Sequence, residues 1–168
     1  MINIAIIDDD KTFCDDFEEQ IKKIDNSYNT DCYYDINTFL ESVSSYNIAI
    51  IDIMLGKDNG IDIASAITEK YPNIKIIFIS VEQDFFQDVY SVNHLYFLVK
   101  PISNEQLKQA LSVCCSEINK QTLYTKLGSG TTAINLNDVS YFEGILKKTI
   151  VHYVNAPKQT LNEPLKDI

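Results

Sequence analysis

The stretch Ile48-Ala49-Ile50-Ile51-Asp52-Ile53-Met54-Leu55-Gly56-Lys57-Asp58-Asn59-Gly60 decides the fold of this 168-residue chain. Four apolar residues, three of them β-branched, run into Asp52, and Gly56 and Gly60 punctuate the turn before a helical pattern begins near Ile61. Continuous rather than alternating hydrophobicity predicts a strand covered on both faces, as in a parallel sheet flanked by helices. In such sheets ligands bind in the crevice beyond the carboxyl ends of the strands, where Asp52 stands. Taken alone, Asp52 is more simply a residue that opens a turn. Its meaning depends on what the other strand ends supply.

Upstream, Ile2–Ile7 reads as a first strand that stops at Asp8-Asp9-Asp10. Phe13, Phe17, Ile21 and Ile24 then recur at helical spacing, with Asp10 or Thr12 as the cap. Tyr28–Tyr34 is a weaker, more polar strand that belongs near an edge, and Thr38–Val43 a short helix turning Phe39, Leu40 and Val43 inward. Downstream, a helix runs through Ile61, Ile63, Ala64, Ala66 and Ile67 to Lys70 and is broken by Tyr71-Pro72-Asn73. Ile74–Ile79 is a fourth strand ending at Ser80, Gln83–Ser91 a helix, and Leu95–Val99 a fifth strand ending at Lys100-Pro101. Ser103 and Gln106 form a capping box for the last helix, which carries Ile102, Leu107, Ala110, Leu111, Cys114, Cys115 and Ile118 inward. Strands alternating with helices predict an α/β domain over residues 1–120 with a five-stranded, parallel, doubly wound sheet.

From Gln121 the pattern changes. Gly128-Ser129-Gly130 and Asn137-Asp138 read as turns between strands Leu123–Leu127, Thr132–Leu136, Val139–Glu143 and Thr149–Val154. That composition predicts a second, small β-rich unit over 121–168. The unit reads as incomplete, with Leu161–Ile168 resembling the opening of a helix.

An apolar content of 45% supplies enough material for a full core. No apolar run reaches the roughly 18 residues of a membrane span. Ile2–Ile7 meets three aspartates at once, which no signal peptide does. The expectation is a soluble, cytoplasmic protein. Cys14, Cys32, Cys114 and Cys115 have no C-x-x-C spacing and read as reduced thiols rather than metal ligands. Residues 1–120 hold 9 Lys against 20 acidic residues, and the rest 5 against 4, with no Arg anywhere. A first unit at −11 without arginine disfavours nucleic-acid binding by that unit.

Four strand ends therefore carry polar groups: Asp8 and Asp9, Asp52, Ser80 and Lys100. In a parallel sheet they share one edge. Three converging carboxylates repel one another unless a hard cation lies among them, and Mg²⁺ is content with one or two carboxylates plus water and phosphate oxygens. Lys100 adds a cation and Ser80 a hydroxyl, a set suited to a phosphoryl group carried on a carboxylate. Singly, each has a plainer role: the acids at a helix N-terminus, Ser80 as a cap, Lys100 as a solvated charge. Their joint placement at successive strand ends favours the site.

On these residues the chain resembles the receiver domains of two-component response regulators, flavodoxin-like folds that act as switches and not as enzymes. The resemblance implies that Asp52 accepts a phosphoryl group from a sensor histidine kinase or a small phosphodonor. It further implies that Asp8, Asp9, Asp52 and the Met54 backbone carbonyl hold Mg²⁺, and that Lys100 and Ser80 contact the phosphoryl oxygens. Phe97 falls at the aromatic switch position coupled to Ser80, and the Lys100–Pro101 bond is expected to be cis. Two positions depart from the commonest pattern. Gly56 replaces a frequent proline, which predicts a freer loop, and Phe97 replaces a tyrosine, which leaves ring packing alone to signal. A homodimer through the face of Gln83–Ser91, Leu95–Val99 and the last helix is a further expectation.

The tail Leu136-Asn137-Asp138-Val139-Ser140-Tyr141-Phe142-Glu143, with a strand from Thr149, resembles the N-terminal part of a LytTR DNA-binding domain. Only Lys147 and Lys148 offer phosphate contacts here, so the resemblance places DNA binding in a complete domain. Two other readings compete. Asp8-x-Asp10-x-Thr12, Ser80 and Lys100 also resemble haloacid-dehalogenase phosphatases, with Asp8 as nucleophile and Asp10 as general acid. That reading lacks an acidic pair after Lys100 and leaves Asp52 without a task. The other is a receiver acting only as an interaction module.

Overall fold

A computed structural model describes residues 2–82, 89, 92–120, 122–127 and 130–167. Contacts between Cα atoms divide the chain into Met1–Cys115 and Ser116–Ile168. Each unit has its own core.

In the first unit, β1 (Asn3–Ile7), β2 (Asn29–Tyr33), β3 (Ile48–Asp52), β6 (Lys75–Ser80) and β7 (Tyr96–Val99) form one parallel sheet in the order β2-β1-β3-β6-β7. That is the doubly wound α/β fold expected from the sequence. All of β3 and β6 is buried, which is why their hydrophobicity runs without alternation. The polar β2 lies at an edge.

Helix α1 (Lys11–Ile24) buries Cys14, Phe17 and Ile21, and Asp10 is its cap, accepting the Phe13 N–H. Helix α2 (Ile36–Ser42) starts two residues earlier than expected because Asp35 caps it through the Thr38 N–H. Phe39 is buried there and Val43 follows it into the core, but Leu40 is 44% exposed and not inward. On a helix this short, Phe39 and Val43 lie four apart on one face and position 40 turns away from it. Helix α3 (Gly60–Lys70) buries Ile61, Ala64 and Ile67. The expected helix over Gln83–Ser91 falls almost wholly outside the described residues.

Helix α4 (Asn104–Lys120) buries Leu107, Ala110, Leu111 and Cys114. Its capping box is closed in both directions: the Gln106 N–H donates to Ser103 Oγ at 3.2 Å and the Ser103 N–H to Gln106 Oε1 at 3.1 Å. Ser103→Ala is expected to cost about 1 kcal/mol, read as a lower urea midpoint with an unchanged slope.

The second unit contains the hairpin β8 (Thr122–Leu127) with β9 (Gly130–Asn135), and a sheet in which β10 (Val139–Ile145), β11 (Lys148–Tyr153) and β12 (Gln159–Leu161) pair antiparallel. Ile134, Val151 and Leu161 form its core. The helix anticipated from Leu161 does not open there. Leu161 pairs with Thr149 and is buried at the end of β12, and Leu165–Asp167 makes a single 3₁₀ turn. Among the described residues no helix is long and apolar enough to cross a membrane.

Candidate functional site

The strand order places β1, β3 and β7 so that their carboxyl ends open on one edge, and the polar residues follow. Asp8 is buried at 1% exposure, with its own N–H on the Tyr33 carbonyl at 3.0 Å. Its Oδ1 accepts the Asp10 N–H at 2.9 Å and its Oδ2 accepts Lys100 Nζ at 2.6 Å. Asp52, 6% exposed, accepts the Met54 N–H on Oδ1 at 3.0 Å and Lys100 Nζ on Oδ2 at 2.6 Å. One ammonium thus bridges two buried carboxylates from different strands. Lys100 is anchored from behind as well: its N–H donates to the Ser80 carbonyl at 2.8 Å, and the Lys100–Pro101 bond is cis. Ser80 is fully buried, and its hydroxyl oxygen accepts the Glu82 N–H at 3.1 Å.

The other expected residues lie at graded distance from this centre. Asp9 is exposed at the rim, its Oδ2 3.7 Å from where a Cβ on Gly56 would stand. Phe97 pairs with Phe78 across β6 and β7 and packs, half-buried, against the main core. Met54 opens a two-residue strand, β4 (Met54–Leu55), paired antiparallel with β5 (Asp58–Asn59). Gly56 sits in that turn at φ +58°. A proline, locked near φ −65°, cannot adopt that conformation, and the loop expected to be freer is held as a miniature hairpin. Lys147 and Lys148 lie at the β10–β11 turn beside Leu146, which is 98% exposed. With Ile145, Ile150 and Thr160 they line a surface hollow of apolar character.

Burial pushes the Asp8 carboxyl upward, against the pull of Lys100 and of the Asp10 N–H. Burial alone would depress the Lys100 ammonium, but hydrogen bonds to Asp52 and Asp8 outweigh it and raise the group. In the pocket two carboxylates face one ammonium. Among the described residues no three His, Cys, Asp or Glu side chains are gathered at metal-holding distance. The donor chemistry nonetheless fits Mg²⁺, which needs only one or two carboxylates, main-chain oxygen and water. Asp10 is turned away from this centre, its Oδ1 taking the Phe13 N–H at 3.1 Å. The acid required by the phosphatase reading is occupied as a cap.

Two residues at the site were invisible to motif reading. The Phe13 ring centroid lies 4.0 Å from Lys100 Nζ. Cys14 Sγ donates to the Asp8 carbonyl at 3.6 Å, supporting the strand end from below. Both lie on α1, and nothing in helical spacing distinguishes a residue that packs on the sheet from one that reaches over its edge.

A doubly wound α/β protein with a lysine clamped between carboxylates at the sheet edge is the class that fold and site define. Residues 4–112 match the response regulator receiver domain family, and the chain belongs to it. Over 114 residues it is 25% identical to the sensory transduction protein LytT of Bacillus cereus, covering 66% of this chain and 46% of that protein. LytT of Bacillus anthracis matches to the same extent. The chain thus spans about half the length of these curated relatives. Among solved structures, the BeF3-activated receiver domain of DrrB has a TM-score of 0.62 at 19% identity, over 69% of this chain and 98% of that one. The response regulator TrrA of Thermotoga maritima, in complex with Mg²⁺ and BeF, also has a TM-score of 0.62, at 22% identity over 68% and 99%. These likenesses concern the fold.

Proposed function

We propose that residues 1–120 are the receiver of a two-component system and that Asp52 accepts a phosphoryl group from a sensor histidine kinase or a small acyl phosphate. The observation that carries this reading is the single Lys100 ammonium 2.6 Å from both Asp52 and Asp8. In the transfer an Asp52 carboxylate oxygen attacks phosphorus, the bond to the donor's leaving atom breaks, and the product is an aspartyl phosphate. Asp8, Asp9, Asp52 and the Met54 carbonyl would hold Mg²⁺, which when bound neutralises charge on the phosphoryl oxygens. Lys100 exchanges its Asp52 contact for a phosphoryl oxygen, and Ser80 supplies its hydroxyl. Phe97, packed beside Phe78, follows Ser80 by ring packing and biases an existing equilibrium of the surface.

The β-rich tail, 121–168, we read as the start of a LytTR-type output domain. The resemblance of Leu136–Glu143 and the LytT relatives support that reading. DNA binding then belongs to the complete domain, with Lys147 and Lys148 as phosphate contacts, and dimerisation uses the face that includes β7 and α4. The setting is the cytoplasm, where the kinase delivers its phosphoryl group.

The test is intact mass after exposure to acetyl phosphate. A phosphoryl adduct that requires Mg²⁺, is lost in hydroxylamine and does not form on Asp52→Asn is expected. An adduct that persists on Asp52→Asn would overturn the assignment.

A further inference from the structure

Phe13 takes no part in the proposed transfer, yet its ring lies against Lys100. It stands in the first turn of α1, fixed there because its own N–H donates to the capping Asp10 carboxylate at 3.1 Å. One turn on, the buried Phe17 stacks on it with centroids 5.0 Å apart and planes 22° apart, so the ring is backed by the core. Its face lies 4.0 Å from Lys100 Nζ. The ammonium therefore meets two carboxylate oxygens and one aromatic face, and the lysine side chain is left only 14% exposed.

We propose that Phe13 is a positioning residue for Lys100, holding the ammonium at the sheet edge while its hydrogen-bond partner changes. The proposal rests on the reading that Asp52 carries the phosphoryl group. When Asp52 is modified, Lys100 must release a carboxylate oxygen and take a phosphoryl oxygen. A hydrogen bond to a third residue would resist that shift, because it is directional. Attraction to a ring face is electrostatic and tolerant of sideways movement, and it is strongest where water is excluded. Phe13 thus keeps Nζ charged and close without fixing which oxygen it touches.

The test uses the full chain as wild type, Phe13→Leu and Phe13→Tyr, with two independent readouts. The first is the rate at which acetic anhydride labels Lys100, followed by peptide mass spectrometry against the exposed Lys57 as internal reference. The second is the rate of phosphoryl uptake from acetyl phosphate. Phe13→Leu is expected to label Lys100 about threefold to tenfold faster and to take up phosphoryl more slowly by a similar factor. Phe13→Tyr, which keeps the ring, should match wild type in both. If Phe13→Leu melts below the assay temperature, Phe13→Met gives the same comparison without a π face. Labelling of Lys100 at the wild-type rate in the ring-less variants overturns the proposal. Faster labelling in chains that never take up phosphoryl, wild type included, upholds the contact with Lys100 and overturns the phosphoacceptor reading instead.

Discussion

Lys100→Met is expected to lose about 3–5 kcal/mol of stability at pH 7, because breaking a buried ion pair from one side strands the other. Here two partners are stranded, Asp8 at 1% and Asp52 at 6% exposure, each 2.6 Å from the same nitrogen. The loss depends on pH with a definite sign. Burial already raises the Asp8 carboxyl above its ordinary value of 3.8, and the methionine variant removes the lysine contacts that hold it down. A carboxyl raised in the folded state makes the folded chain bind more protons than the unfolded one. Its contribution is therefore unfavourable above the unfolded pKa and grows as pH rises towards the folded pKa. The deficit of the variant should be small near pH 4 and large at pH 7 to 8.

In the wild type, Lys100 has the opposite profile. Its pKa is raised above 10.5, so its stabilisation is complete below that value and is lost as pH rises through the folded pKa. Urea melts of both proteins from pH 5 to 8 measure the difference. A deficit that does not change across that range would contradict the arrangement.

Gly60→Ala is expected to cost about 3 kcal/mol and to lower the melting temperature by on the order of 10 °C. Gly60 opens α3 and donates its N–H to the Ile53 carbonyl at 2.9 Å, bringing the helix directly over the end of β3. A Cβ there would stand 2.1 Å from the Asp52 carbonyl oxygen and 3.0 Å from both its carbon and Ile53 Cα. All three are backbone atoms, so no side chain can swing aside, and the strand end that presents Asp52 must move. Gly56 is the useful contrast. It needs a left-handed φ of +58°, but its nearest neighbour to an added Cβ is the Asp9 carboxylate tip at 3.7 Å. Gly56→Ala should cost about 1–2 kcal/mol. Comparison of the two variants by thermal melting checks the account, and Gly56→Ala falling further than Gly60→Ala would contradict it.

The sheet was legible because burial imposes a pattern over whole strands: unbroken apolar runs for β3 and β6, a polar run for the edge strand β2. Asp8, Asp52 and Lys100 could be brought together from the sequence for the same reason, since parallel strands end on one edge. Features shorter than a period left no such trace. The β4–β5 pairing is two residues a side and reads as a glycine-punctuated loop, although it determines how Met54 and Gly56 are held. Leu40 adjoins Phe39 in an apolar run too short to show a helical period, and on the helix that forms it turns away from the core. Leu161 carried apolar character compatible with either a strand or a helix, and only its pairing with Thr149 decides between them. Phe13 was assigned correctly to an apolar face, but its contact with Lys100 joins residues far apart in the chain.

Asp52, and not Asp8 or Asp9, is the residue proposed to take the phosphoryl group. The most direct measurement is borohydride reduction of the acetyl phosphate-treated protein, followed by peptide mass spectrometry. Reduction converts an aspartyl phosphate to homoserine and so marks the residue that carried it. Homoserine is expected at position 52 alone. Homoserine at position 8 would contradict it and return the chemistry to the first strand.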